Sequence, residues 1–170
     1  DGKGYNKNGI IDFQIKDGNG KGKEYNDDGE LKFEGEFLDG KRNGRGKEYN
    51  DDGEIEFEGE YLNGERWKGK GKEYNEGELI FEGEYLNGKW EGKGKEYNDV
   101  ELIFEGEYLN GERWEGKGKE YDDFDGVLIF EGEYLNGKWN GKGKEYNFDG
   151  EVIFEGEYLN GERWKGKGKE

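Results

Sequence analysis

Apolar and polar residues alternate along this chain in short runs, and the runs recur. Phe81, Gly83 and Tyr85 fall on one side of an extended segment, and Glu82, Glu84 and Leu86 on the other. In the next run Gly92 and Gly94 fall on one side, and Lys93, Lys95 and Tyr97 on the other. A period of two predicts β-strands. No 3.6-residue period appears, and each Gly would cost a helix interior about 1 kcal/mol. Pairing the two runs as a hairpin sets aromatic rings over partner glycines, shielding their backbone from water. The same register lays Glu-x-Glu beside Lys-x-Lys, and each cross-strand pair contributes roughly 0.2–1 kcal/mol.

These runs repeat throughout the chain. Gly-Lys-Gly-Lys-Glu-Tyr ends at Tyr25, Tyr74, Tyr97, Tyr121 and Tyr146, with a variant carrying Arg45 that ends at Tyr49. Phe-Glu-Gly-Glu-(Tyr/Phe)-Leu begins at Phe33, Phe57, Phe81, Phe104, Phe130 and Phe154. Between them sits Asn-Gly, at Asn63, Asn87, Asn110, Asn136 and Asn160, or Asp39-Gly40 in the first copy. Each unit therefore reads strand, turn, strand, turn.

The segment Phe81-Glu-Gly-Glu-Tyr85-Leu-Asn-Gly88-Lys-Trp-Glu-Gly92-Lys-Gly94 resembles the MORN repeat. That family's pattern is an aromatic, any residue, Gly, any residue, an aromatic, then spaced Gly and Gly-x-Gly. The resemblance implies an all-β fold: an elongated single-layer antiparallel sheet of tandem β-hairpins, a solenoid of about seven hairpins. It also implies a scaffold or interaction module, some relatives being associated with membranes or lipids.

Residues 1–170 read as one repeat array, with 1–24 a degenerate first repeat and 25–170 about six hairpin repeats. The chain stops one residue short of the Tyr expected after Glu170 and does not begin with Met, which suits a piece of a longer array. A longer period lies in the turns. Three residues separate Gly40 from Gly44, Gly88 from Gly92 and Gly137 from Gly141, whereas four separate Gly64 from Gly69, Gly111 from Gly116 and Gly161 from Gly166. The structural unit is thus a pair of hairpins, and every longer turn contains Arg-Trp.

Composition removes most catalytic chemistry. His, Cys, Ser, Thr, Ala, Met and Pro are absent. No hydroxyl or thiol nucleophile other than Tyr remains, and no imidazole base. Zinc, haem and iron–sulfur sites lose their usual ligands, so the expectation is a non-enzyme with no cofactor and no metal. A net charge of −17 disfavours nucleic acid and anionic membranes. Hydrophobic content of 28% with such charge usually means disorder, but 16% of the chain is aromatic and spaced at fixed intervals, which predicts order instead.

Two acid-rich turns, Asn50–Glu54 and Asp122–Gly126, contain oxygen ligands near Gly but lack calcium-loop spacing, and read as solvated turns. Glu82 and Glu84 recur in every copy, unlike a catalytic carboxylate pair. The Gly-x-Gly strings are not followed by the helix that a phosphate loop needs.

The remaining candidates are Arg66, Trp67, Trp90, Arg113, Trp114, Trp139, Arg163 and Trp164, read as partner-binding residues. Alternation places the five Trp on the Phe/Tyr face. That face reads first as the core of the fold. Its alternative role is a platform for a glycan or a cationic ligand. The expected partner is another protein, or a second copy joined end to end through an open sheet edge.

Overall fold

The computed structural model describes residues 2–5, 11–99, 101–122 and 124–168. It is all-β, with fifteen strands and no helix among the described residues. The chain forms two compact units, Asp1–Glu73 with Glu84–Lys89, and Tyr74–Gly83 with Trp90–Glu170.

The first unit contains β1 (Gly2–Tyr5), β2 (Ile11–Lys16), β3 (Asn19–Tyr25), β4 (Leu31–Leu38), β5 (Lys41–Tyr49), β6 (Ile55–Leu62) and most of β7 (Glu65–Asn75). The second contains most of β8 (Glu78–Leu86) and of β9 (Lys89–Asn98). It continues through β10 (Glu101–Leu109), β11 (Glu112–Tyr121), β12 (Leu128–Leu135), β13 (Lys138–Tyr146), β14 (Val152–Leu159) and β15 (Glu162–Gly168). Within each unit, sequence neighbours are sheet neighbours and the pairing is antiparallel, the tandem-hairpin topology that the alternation predicts.

The Asn-Gly turns explain the tight reversals. Asn63 has φ 55° and Gly64 φ 100°, and Asn136 and Gly137 have φ 54° and 72°. Two successive positive φ values mark the two-residue turn whose twist matches that of a hairpin. Glu76-Gly77 is again a two-residue turn, with φ 52° and 88°. In the longer loops after β5 and β11, Asn50 Oδ1 accepts the Asp52 and Glu54 N–H groups, and Asp122 Oδ1 those of Phe124 and Asp125. The first oxygen ligand of each acid-rich turn, Asn50 Oδ1 or Asp122 Oδ1, is therefore engaged in closing that turn.

Register puts glycine opposite glycine. Gly22 faces Gly35, which faces Gly46, which faces Gly59, which faces Gly69. In the second unit Gly118, Gly132, Gly143, Gly156 and Gly166 form the same lane. Phe rings lie on it, and Phe33, Phe57, Phe81 and Phe130 are 0% exposed. Phe33, Phe57, Phe81, Phe104 and Phe130 each meet a Tyr from the following hairpin edge to face, as Phe57 meets Tyr85 at 5.5 Å and Phe104 meets Tyr134 at 5.4 Å. Since no second layer among the described residues covers these rings, successive hairpins bury one another's aromatics, and that is the core.

The opposite face carries the charges in the expected register. Glu34 lies across from Lys47, Lys47 from Glu58, Glu131 from Lys144 and Lys144 from Glu155.

Candidate functional site

The two turn lengths have opposite structural consequences. In a long turn, Tyr61 pairs with Arg66 and Glu60 with Lys68, so Trp67 is an extra residue with no partner in the register. In a short turn, Tyr134 pairs with Trp139 itself. The bulge of the long turn shifts the register by one residue and reverses the phase of alternation, whereas the irregularity of the short turn shifts it by two, from Gly132↔Gly143 to Tyr134↔Trp139, and keeps the phase; that difference decides which side chain covers the Phe ring.

In the short-turn hairpins Trp90 stacks on Phe81 with centroids 4.1 Å apart, and Trp139 stacks on Phe130 at the same distance. In the long-turn hairpins Arg takes that place: Arg66 Cζ lies 5.1 Å from the centre of the Phe57 ring, Arg113 5.0 Å from Phe104 and Arg163 4.9 Å from Phe154. The first hairpin has a short turn but carries Arg42, which sits 4.4 Å over Phe33. The expectation of five equivalent Trp is corrected here. Trp67, Trp114 and Trp164 are displaced by the bulge and stand 38%, 36% and 69% exposed.

The Arg residues are held by glutamates that the sequence reading passed over. Arg66 Nε donates to Glu48 Oε2 at 2.8 Å, Arg42 Nη1 to Glu48 Oε1 at 2.9 Å, and the Tyr61 hydroxyl to Glu48 Oε2 at 3.3 Å. In the second unit Arg113 Nε and the Tyr108 hydroxyl both donate to Glu96 Oε2, at 2.8 and 3.1 Å. Arg163 and Tyr158 converge likewise on Glu145. These glutamates belong to Lys-Glu-Tyr. The available signal was their position two residues after the second Gly of Gly-x-Gly, which places them on the aromatic face.

The electrostatics follow from this arrangement. Burial pushes the Glu48 carboxyl up, but Arg66 and Arg42 outweigh it, and its pKa ends below the ordinary value. Burial would lower the Arg66 pKa, yet Glu48 and Glu56 raise it. Burial, then the Glu48 charge, pushes the Tyr61 phenol up. On the charged face the Tyr49, Tyr97 and Tyr146 hydroxyls donate to Glu34, Glu82 and Glu131 at 2.6–2.7 Å. Burial first, and then those carboxylates, raise the three phenols to about 12.

Two surfaces stand out among the described residues. One is a trough on the charged face of each unit, floored by glycine backbone and walled by alternating Lys and Glu. It encloses about 1010 Å³ between residues such as Lys117, Glu131, Lys144 and Glu155 in the second unit. In the first unit it encloses about 750 Å³. The other is the Asn-Gly turn edge, where exposed Leu38, Leu62, Leu109, Leu135 and Leu159 accompany the displaced Trp. Here the turns of successive hairpins are tied together. The Gly64 N–H donates to the Arg42 carbonyl at 2.8 Å, and the Gly137 N–H to the Trp114 carbonyl at 3.0 Å. On the aromatic face, among the described residues, the Phe and Tyr rings are buried and the cation–π seats hold the chain's own Arg.

The MORN repeat family model matches residues 33–55, 81–99 and 130–152. All three segments begin at the Phe of a short-turn hairpin, the spacing without the extra residue. No curated protein matches the chain.

Proposed function

We propose that this chain of MORN repeats is a non-catalytic structural scaffold that presents its turn edge to other proteins and joins further strands at its sheet edge. The observation that carries the reading is how the polar groups divide. On the aromatic face, Arg, Tyr and Glu are consumed in bonds between hairpins, so the chemistry of the repeats is directed at holding neighbours in place. Exposed Trp67, Trp114 and Trp164 recur on every second hairpin, a spacing suited to repeated contacts with a protein surface, where Trp is enriched.

Strand addition is supported by β15. It pairs with β14 in full repeat register, Glu155 with Lys167 and Gly156 with Gly166, and is exposed along its length. Among the described residues β15 pairs only with β14, and the N–H and C=O groups on its far side suit a further strand, whether from a continuation of this chain or from another copy. Such contacts do not close on themselves, so they propagate.

Sedimentation across a salt series tests this. Backbone pairing between chains of charge −17 is opposed by repulsion, so species should grow beyond the dimer as salt screens that charge. A strict monomer at every ionic strength removes strand addition by this chain.

A further inference from the structure

In the second unit, the edge away from the Asn-Gly turns carries two neighbouring loops, residues 122–127 after β11 and 147–151 after β13. The strand order sets them about 9–10 Å apart, two strand spacings. Each loop presents a Phe to solvent: Phe124 is 94% exposed and Phe148 70%. The rings stand on ordered turns. The Asp122 N–H donates to the Val127 carbonyl at 2.8 Å and the Asn147 N–H to the Glu151 carbonyl at 2.9 Å. Asp122 Oδ1 and Asn147 Oδ1 each accept two further backbone N–H groups.

The fold does not require these rings. Loops 26–30 and 50–54 of the first unit close as 147–151 does, with Asn Oδ1 accepting the Glu N–H at 2.8 Å in all three. Where the second unit has Phe148 they carry Asp27 and Asp51, both exposed. A position that aspartate fills equally well gives the loop no packing, so the free-energy gain of a ring there lies in contact with another molecule.

Every charged side chain of the two loops is acidic: Asp122, Asp123, Asp125, Asp149 and Glu151. Those of Asp125, Asp149 and Glu151 are exposed and make no ion pair or side-chain hydrogen bond among the described residues. We propose that the Phe124–Phe148 pair is a docking site for a basic amphipathic helix of another protein, its apolar stripe on the two rings and its Lys and Arg on the flanking carboxylates. Apolar helix residues seven positions apart stand about 10.5 Å apart along the axis, which matches the spacing of the loops. A second copy would bring carboxylates against carboxylates, and an anionic bilayer meets the same repulsion. The site lies within the second unit and uses neither the Asn-Gly turn edge nor the free side of β15. It therefore goes beyond the scaffold reading and stands or falls separately.

A fluorescently labelled helical peptide of Leu and Lys, about 18 residues long with Leu at i, i+3, i+4 and i+7, is the probe. The control peptide has the same composition, reordered so that no apolar face forms. Anisotropy is read against the full chain at about 0.15 M salt, where screening acts over roughly 8 Å. The parent should bind the amphipathic peptide at least about tenfold more tightly than the control. Phe124→Asp combined with Phe148→Asp should abolish that preference, although the two added charges would tighten a complex held by charge alone. Phe148→Asp by itself gives its loop the sequence of residues 50–54, which folds in this same chain, and should cost at least about threefold; it decides the matter if the double variant loses its circular-dichroism signal. Asp125→Asn, Asp149→Asn and Glu151→Gln together should weaken binding at least about threefold.

Equal affinity of the parent for the two peptides overturns the proposal. So does a folded Phe variant, or the charge-neutralised variant, that binds the amphipathic peptide as tightly as the parent. Co-sedimentation of the parent with phosphatidylcholine vesicles that is lost in the Phe variants would assign the rings to a lipid surface and overturn the helix. Self-association of the parent that is lost in those variants would assign the rings to a second copy and overturn it as well.

Discussion

Replacing Gly94 with alanine would put a methyl carbon 2.7 Å from both Cε2 and Cζ of Phe81 and 3.1 Å from Cε2 of Tyr108. Carbon atoms pack best at about 3.5–4.0 Å, so the new group overlaps its neighbours by roughly half an ångström to one. Phe81 cannot easily yield. It is 0% exposed, is stacked 4.1 Å from Trp90, and has the edge of Tyr108 against it at 5.1 Å. Overpacking of this kind costs about 1–3 kcal/mol, and the rigid surroundings favour the upper end. Removing a strand glycine returns about 0.5–1 kcal/mol. The net destabilisation is therefore about 2 kcal/mol, a fall of about 4–8 °C in Tm for a chain of this size. Valine should cost more, despite its better strand propensity. Gly168, whose added methyl would meet nothing closer than 3.6 Å, is the control, and its alanine variant should melt within about 1–2 °C of the parent. Thermal melts followed by circular dichroism, with the same substitution repeated in a Phe81→Ala background, measure the coupling directly. A Tm that rises in Gly94→Ala, or a cycle with no coupling to Phe81, would refute the ring-over-glycine packing.

Deleting Arg66 shortens a long turn to the short spacing and should move Trp67 onto Phe57, seen as a blue-shifted Trp emission and reduced acrylamide quenching in a variant retaining that Trp alone. An unchanged spectrum would mean that the bulge does not set the phase. Glu48→Gln removes the charge shared by Arg42, Arg66 and Tyr61 and should cost about 1.5–3 kcal/mol in denaturant melts at neutral pH. Because folding lowers the pKa of Glu48, its contribution is present above the unfolded value near 4.5 and is lost as pH falls through the lower folded value, so the parent and Glu48→Gln stability curves should converge in acid. Curves that stay parallel to low pH would exclude that linkage. Tyr49, Tyr97 and Tyr146 have folded values raised to about 12, so their contribution is full below pH 10 and disappears as pH climbs through 12. An ultraviolet phenolate titration should show these three ionising together with unfolding, and ionisation at pH 10 in the folded chain would contradict the bonds to Glu34, Glu82 and Glu131.

Local sequence was enough to determine the strands, the turns and the pairing of faces. Phe81, Gly83 and Tyr85 alternate with Glu82, Glu84 and Leu86, and an extended backbone must send the two sets to opposite sides. Asn-Gly supplies two positive φ values at little cost, so a two-residue reversal falls wherever that dipeptide stands. Gly94 had to lie beneath Phe81 because no side chain fits there. These are nearest-neighbour effects, and a repeat copies them faithfully.

What needed the tertiary structure was everything that depends on how one hairpin meets the next. Arg66 and Trp67 are adjacent in sequence, and period-two reasoning assigned the aromatic face to Trp67. The unpaired residue in the longer turn reversed that assignment, because a bulge is a property of two strands in register and not of either one alone. Glu48 gave no sign of importance in its own strand. Its partners Arg42, Tyr61 and Arg66 come from the strand it sits in and from the following hairpin, and only packing gathers them around one carboxylate. Which charges remain free is settled by the network that satisfies the others.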